Sequence, residues 1–132
     1  MMNDMTWTVV ADEGRARVFQ ARGLTLDLEE VDGFVNVAHS ATTLTEKQAV
    51  AFSASERKEK ERDKFACQVA EYLEKARLHQ RFDRLRLVAE SKFLGMMLSY
   101  MSVETRGLVF EQLSKDYSTL GTRDIQERLR QG

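Results

Sequence analysis

Trp7-Thr8-Val9-Val10-Ala11-Asp12-Glu13-Gly14-Arg15-Ala16-Arg17-Val18-Phe19 is the stretch on which the fold turns. Trp7 to Asp12 is β-branched and aromatic enough to read as a short strand, and Asp12-Glu13-Gly14 has the composition of the turn that stops it. Ala16 to Ala21 reads as a second strand, closed by a turn at Arg22-Gly23. Two β-rich runs on either side of so short a turn make a hairpin. In Leu24 to Val31 the residues Leu24, Leu26 and Leu28 alternate, the period of a half-buried strand. The reading therefore extends to a third strand and an antiparallel meander.

Beyond Val31 the pattern changes. Asp32 to about Ser55 is rich in Ser, Thr, Ala and Gly and reads as a long loop, of a length that compact domains reserve for functional or mobile segments. A long helix is expected from Ser55 to His79, with Ser53 or Ser55 as N-cap and Glu56 at the positive end of the dipole. Phe65, Ala66, Val69, Ala70, Leu73 and Ala76 recur at steps of three and four and form one apolar stripe. The two turns before Phe65 are polar all round, so that part is expected to project from the core or to bind something.

Arg84 to Ala89 is a fourth strand, and a strand–helix–strand unit implies a crossover. Ser91 is expected to cap a helix from Lys92 to Met101, and Ser102 to open a short turn. Val109 to Leu113 is a fifth strand, and Thr122 caps a last helix, Arg123 to Arg130, anchored by Ile125 and Leu129. The order βββ-α-β-α-β-α predicts one α/β sandwich over residues 1–132, with a mixed five-stranded sheet.

Composition narrows the function classes. The 132 residues include no proline, 42% are hydrophobic and 31% charged, with 20 Lys+Arg against 21 Asp+Glu. Such a chain is too apolar for a disordered segment and too balanced for a wholly basic nucleic-acid binder. Without proline it has no PxxP ligand segment. Cys67 is the only cysteine, which excludes an internal disulfide and a Cys-rich zinc site. No apolar run is long enough to insert in a membrane. Met1 to Thr6 has no basic n-region, so a cytoplasmic location is expected.

The charge is uneven. Residues 53–86 carry 10 basic and 7 acidic side chains, whereas residues 1–52 carry 4 and 8. The middle opens on the unbroken charged run Glu56-Arg57-Lys58-Glu59-Lys60-Glu61-Arg62-Asp63-Lys64. Mixed signs at this density make a solvated helix face laced with i,i+4 pairs. The sharper reading is a phosphate-facing helix start, in which Arg57, Lys58, Lys60, Arg62 and Lys64 act with Arg15 and Arg17 as nucleic-acid contacts. The interleaved Glu59, Glu61 and Asp63 oppose it by repelling phosphate at short range.

Other candidates read more simply as structure. Asp12, Glu30 and Asp116 lie near strand ends, where carboxylates hold Mg²⁺ in some nucleases, but Asp12 has turn chemistry. His39 lacks a nucleophile-elbow context. His79 suits the negative end of the long helix. Cys67 reads as a partly buried thiol, and Met96, Met97 and Met101 as packed core rather than a plastic contact surface. No cofactor or metal site is expected.

Four segments together resemble a known bacterial family. They are Val9 to Phe19, Phe65-Ala66, Phe82 to Ala89 with Phe93-Leu94-Gly95, and Leu113-Ser114-Lys115-Asp116-Tyr117-Ser118. Their order and spacing resemble the host attachment protein family, over roughly residues 7 to 130. That family is similar in fold to the middle domain of archaeal and eukaryotic class I peptide-release factors and of Pelota. The resemblance implies a translation-factor-like domain with the ribosome, rRNA or tRNA as partner.

Relatives that hydrolyse peptidyl-tRNA carry Gly-Gly-Gln before the long helix. Here the 32–55 loop has Gly33 alone, and Gln48 lies far from it, which argues for binding over hydrolysis. Family members also place prolines in that loop and after the fourth strand, where this chain has Ala89-Glu90-Ser91. The alternatives are a protein-interaction factor linked to host attachment or the cell surface, and a Mg²⁺-dependent nuclease.

Overall fold

The computed structural model describes residues 4–36 and 54–131, with the side chains of the long helix from Lys58 onward. Strands β1 (Met5–Ala11) and β2 (Arg15–Arg22) form the hairpin, antiparallel with Ala11 opposite Ala16. Asp12 makes its turn: Oδ1 accepts from the Gly14 and Arg15 amides at 2.7 and 2.8 Å. At the other end Gly23 takes φ +57°, a left-handed conformation that glycine adopts without a Cβ clash. A Cβ there would stand 3.1 Å from the Asp4 carboxylate.

The third strand is displaced from its expected place. Strand β3 is Glu29–Val35, paired antiparallel with β2 through a register shift at Val18/Phe19. Leu24 is 65% exposed, while Leu26 and Leu28 pack beneath the C-terminal helix. Their alternation therefore marks a loop laid over the sheet, since apolar side chains under a helix satisfy burial without a ladder. The start of the expected 32–55 loop is accordingly strand as far as Val35. The rest of it, residues 37–53 with His39, lies outside the described residues.

Helix α1 (Ala54–Leu78) leads to β4 (Arg84–Ala89), which lies parallel to β1 with Val9 opposite Leu87. Helices α2 (Ser91–Tyr100) and α3 (Val103–Arg106) precede β5 (Val109–Leu113), and α4 (Thr122–Gln131) follows it. The mixed five-stranded sheet runs β3-β2-β1-β4-β5. Period-two alternation sorts it into two faces. Trp7, Val9, Val18, Leu85 and Leu87 face the predicted α1 stripe of Phe65, Val69 and Leu73. Val10, Phe19 and Val88 face Ile125 and Leu129 of α4.

The helix ends refine two expectations. The N-cap of α2 is Glu90, not Ser91: its carboxylate accepts from the Lys92 and Phe93 amides at 2.8 and 3.3 Å. A carboxylate there meets two free N–H groups and the positive dipole end together. Helix α1 closes with Arg81 N–H donating to Ala76 and Gln80 N–H to Arg77, a Schellman arrangement. Gln80 holds its left-handed position at φ 58°.

Candidate nucleic-acid interface

The parallel strands β1, β4 and β5 end on one edge of the sheet, and the loop after β5 closes over the end of β1. Ser118, fully buried, places Oγ 2.7 Å from Asp12 Oδ2 and 2.8 Å from Asp116 Oδ1. One hydroxyl proton serves two carboxylates in turn. Within the segment Leu113 to Ser118, Asp116 and Ser118 thus help to close the sheet edge, and Ser118 is the member that sequence reasoning passed over. Its signal was weak: a serine after a charged pair resembles any surface turn.

Arg17 secures the same loop from β2. Its Nε and Nη2 hold Glu30 at 3.1 and 2.8 Å, and Nη1 donates to the Ser118 and Leu120 carbonyls at 3.2 and 2.5 Å. The guanidinium beside it holds the Glu30 carboxyl below its ordinary range. Each nitrogen of Arg17 is engaged internally, so this residue braces the fold and leaves the set of groups open to phosphate. Glu30, in turn, is taken up by Arg17 and does not join Asp12 and Asp116. Among the described residues no three His, Cys, Asp or Glu side chains gather as a cation cage.

The polar start of α1 is tied down on both flanks. Toward α2, Glu59 accepts from Lys92 Nζ at 2.7 Å and Asp63 accepts from the Tyr100 hydroxyl. Those hydrogen bonds lower the Glu59 carboxyl and raise the Tyr100 phenol relative to their usual values. Toward the sheet, Arg62 Nε lies 2.6 Å from Glu13 Oε2 in the hairpin turn. Lys58 and Glu61 line a small cavity there with Glu13, Asn36 and Arg62. The expectation that this part projects from the core is corrected: long polar side chains reach both neighbours without needing an apolar stripe.

Lower on α1, Glu74 accepts from Ser102 Oγ at 2.6 Å, from Thr105 Oγ1 at 2.5 Å and from Arg77. These bonds hold its carboxyl down at about 2. Tyr72 donates to Asp32 Oδ2 at 2.6 Å, and burial, reinforced by that carboxylate, pushes its phenol to about 12. Burial also raises the Cys67 thiol, as expected of a structural cysteine.

Of the basic residues singled out in the sequence, Arg15, Lys60 and Lys64 are exposed, and no carboxylate lies within ion-pair distance of them among the described residues. Arg15 lines a depression of about 520 Å³ along β2 and β3, together with Arg17, Glu30, Gly33 and Val35. The side chain of Arg57 lies outside the described residues.

Over residues 7–129 the sequence matches the family described as protein required for attachment to host cells. The chain belongs to this family. No curated protein matches this family member significantly. Among solved structures it is similar to the type II variant of the Aquifex aeolicus Ppx/GppA phosphatase, at 14% identity and a TM-score of 0.45. That likeness covers 86% of this chain and 36% of the phosphatase. It is also similar to a structure described as an archaeal protein, at 10% identity and a TM-score of 0.49, covering 98% of this chain and 39% of that one. The host attachment chain thus spans well under half the length of either structure. No helix among its described residues is long and apolar enough to cross a membrane.

Proposed function

We propose that this host attachment family member is a non-catalytic, translation-associated domain that binds ribosomal or transfer RNA through the surface around Arg15 and the first half of α1. The observation that carries the reading is the contrast between its acids and its bases. The Asp12 carboxylate closes the hairpin turn through the Gly14 and Arg15 amides and receives the Ser118 hydroxyl. A carboxylate used in this way is structural first, whereas a two-metal nuclease needs strand-end carboxylates turned outward to an ion. Arg15, Lys60 and Lys64 by contrast extend into solvent, where phosphate reaches them. The likeness to release-factor middle domains that the family resemblance implies supports RNA as the polyanion.

Ribosome co-sedimentation from lysate tests the reading. The chain is expected in the ribosomal pellet at low salt and in the free fraction as salt rises. A chain that stays free at low salt overturns it. The family description favours a second reading, a protein-interaction factor at the cell surface. Fractionation that recovers the chain in the periplasm or outer membrane supports that reading instead. A nuclease predicts Mg²⁺-dependent RNA cleavage that Asp12→Asn abolishes.

A further inference from the structure

The charged run of α1 mixes signs in sequence but separates them in space. An α-helix advances 100° per residue, so positions three and four apart share a face. Lys60, Lys64, Gln68, Glu71 and Lys75 follow such steps, and all are exposed. They form the outward crest of α1, opposite the stripe of Phe65, Val69 and Leu73. The acids that interrupt the lysines in sequence lie off this crest. Glu59 turns to Lys92, Asp63 to Tyr100 and Glu74 to Ser102 and Thr105. Glu61 turns to the cavity at the hairpin. Glu59 and Asp63 still border Lys60 in a depression that they share with Met96, so the repulsion of phosphate is reduced by their pairing with Lys92 and Tyr100 but keeps its force on the α2 flank.

We infer that this crest is a phosphate-tracking ridge for the backbone of double-stranded RNA. Lys60 and Lys64, about 6 Å apart along the helix axis, are its paired contacts and Lys75 its distal one. Glu71 is the acid left on the crest, between Lys64 and Lys75, and it weakens that distal end. The inference rests on the RNA-binding part of the proposed function and names the form of RNA recognised. No residue of the crest between Lys60 and Lys75 is aromatic, and Tyr100, the exposed aromatic on its α2 flank, is held to Asp63 through its hydroxyl, so the crest reads backbone and shape, the mode of duplex recognition. Nor has it an apolar flank to enter a bilayer among the described residues, where Leu78, beyond Lys75, is the large exposed apolar side chain of α1.

Fluorescence anisotropy with a labelled RNA duplex of arbitrary sequence, over a salt series, tests the assignment. Lys60→Gln with Lys64→Gln is expected to weaken binding about tenfold or more and to reduce the salt slope by about 2. Glu71→Gln is expected to tighten it. Arg22→Gln with Arg123→Gln removes the same charge elsewhere and is expected to leave affinity within about twofold. Equal losses in the two double variants, or no wild-type binding at low salt, overturn the inference. So does equally tight binding to polyglutamate or to phosphatidylserine vesicles.

Ribosome pelleting run in parallel separates this idea from the broader one. If the crest variant pellets as wild type does, the crest fails and the translation reading stands. If the crest binds duplex RNA but the chain never pellets, the crest stands and the translation reading fails.

Discussion

Ser118 donates its hydroxyl toward Asp12 across 106 residues of sequence, at 2.7 Å, and so joins the loop after β5 to the end of β1. Ser118 is fully buried and Asp12 half-buried, so the contact is a structural seam of the sheet edge. Arg17 doubles the seam through the Ser118 carbonyl.

Ser118→Ala is therefore expected to destabilise the protein by about 1–3 kcal/mol, because it removes a buried hydroxyl's hydrogen bond to the charged, half-buried Asp12 carboxylate. Urea denaturation checks this: the midpoint falls while the slope with denaturant holds. An unchanged midpoint refutes an energetic role for the seam.

Glu74 makes stability depend on acid. Its folded carboxyl sits at about 2, held down by Ser102, Thr105 and Arg77, below the unfolded value near 4.5. A lowered folded value means stability that is present above the unfolded value and lost as pH falls from about 5 toward 2. Glu74→Gln is expected to cost about 1 kcal/mol at neutral pH and to flatten melting temperature against pH over that interval. A parallel acid decline in the variant would show that other carboxylates govern it.

Arg86 and Glu111 respond unequally to truncation. Arg86 is 6% exposed and donates from Nε to Glu111 at 2.5 Å and from Nη1 to Thr8 at 3.0 Å. Glu111→Ala leaves a buried guanidinium without its counter-charge and is expected to cost roughly 2–3 kcal/mol. Arg86→Met frees Glu111 to turn to water but leaves the buried Thr8 hydroxyl without its donor, and is expected to cost about 1 kcal/mol, less than Glu111→Ala. Thermal melts of the two variants that rank the other way contradict this account.

Gln80 sits in the left-handed region at the end of α1. Gln80→Gly is expected to raise stability by up to about 1 kcal/mol, the strain relieved being partly offset by the greater freedom of glycine in the unfolded chain. Gln80→Val, β-branched, is expected to lower it. Equal midpoints for all three residues would show that the position carries no strain.

Much of the fold is legible where local chemistry decides. Asp12-Glu13-Gly14 makes its turn with its own neighbours' amides, and the Phe65–Ala76 stripe needs only helical periodicity. Strands 84–89 and 109–113 lie where their apolar runs place them. The third strand shows the limit. Leu24, Leu26 and Leu28 carry a strand's alternation, yet α4 takes Leu26 and Leu28 as its own packing surface, and the ladder falls to Glu29–Val35. Periodicity states that side chains are buried, not what buries them.

The candidate interface divides along the same line. The sequence by itself determined which residues carry charge, the hairpin that positions Arg15 and Arg17, and the helix that carries Lys60 and Lys64. Only the tertiary structure decided that Arg17 would be consumed by Glu30 and the Ser118 loop. It alone turned Glu59 and Asp63 aside to Lys92 and Tyr100, leaving the lysines on the crest. The physical reason is reach: a charged side chain pairs with whatever the packed fold brings within about 3–4 Å, and those partners lie 13 to 101 residues away along the chain.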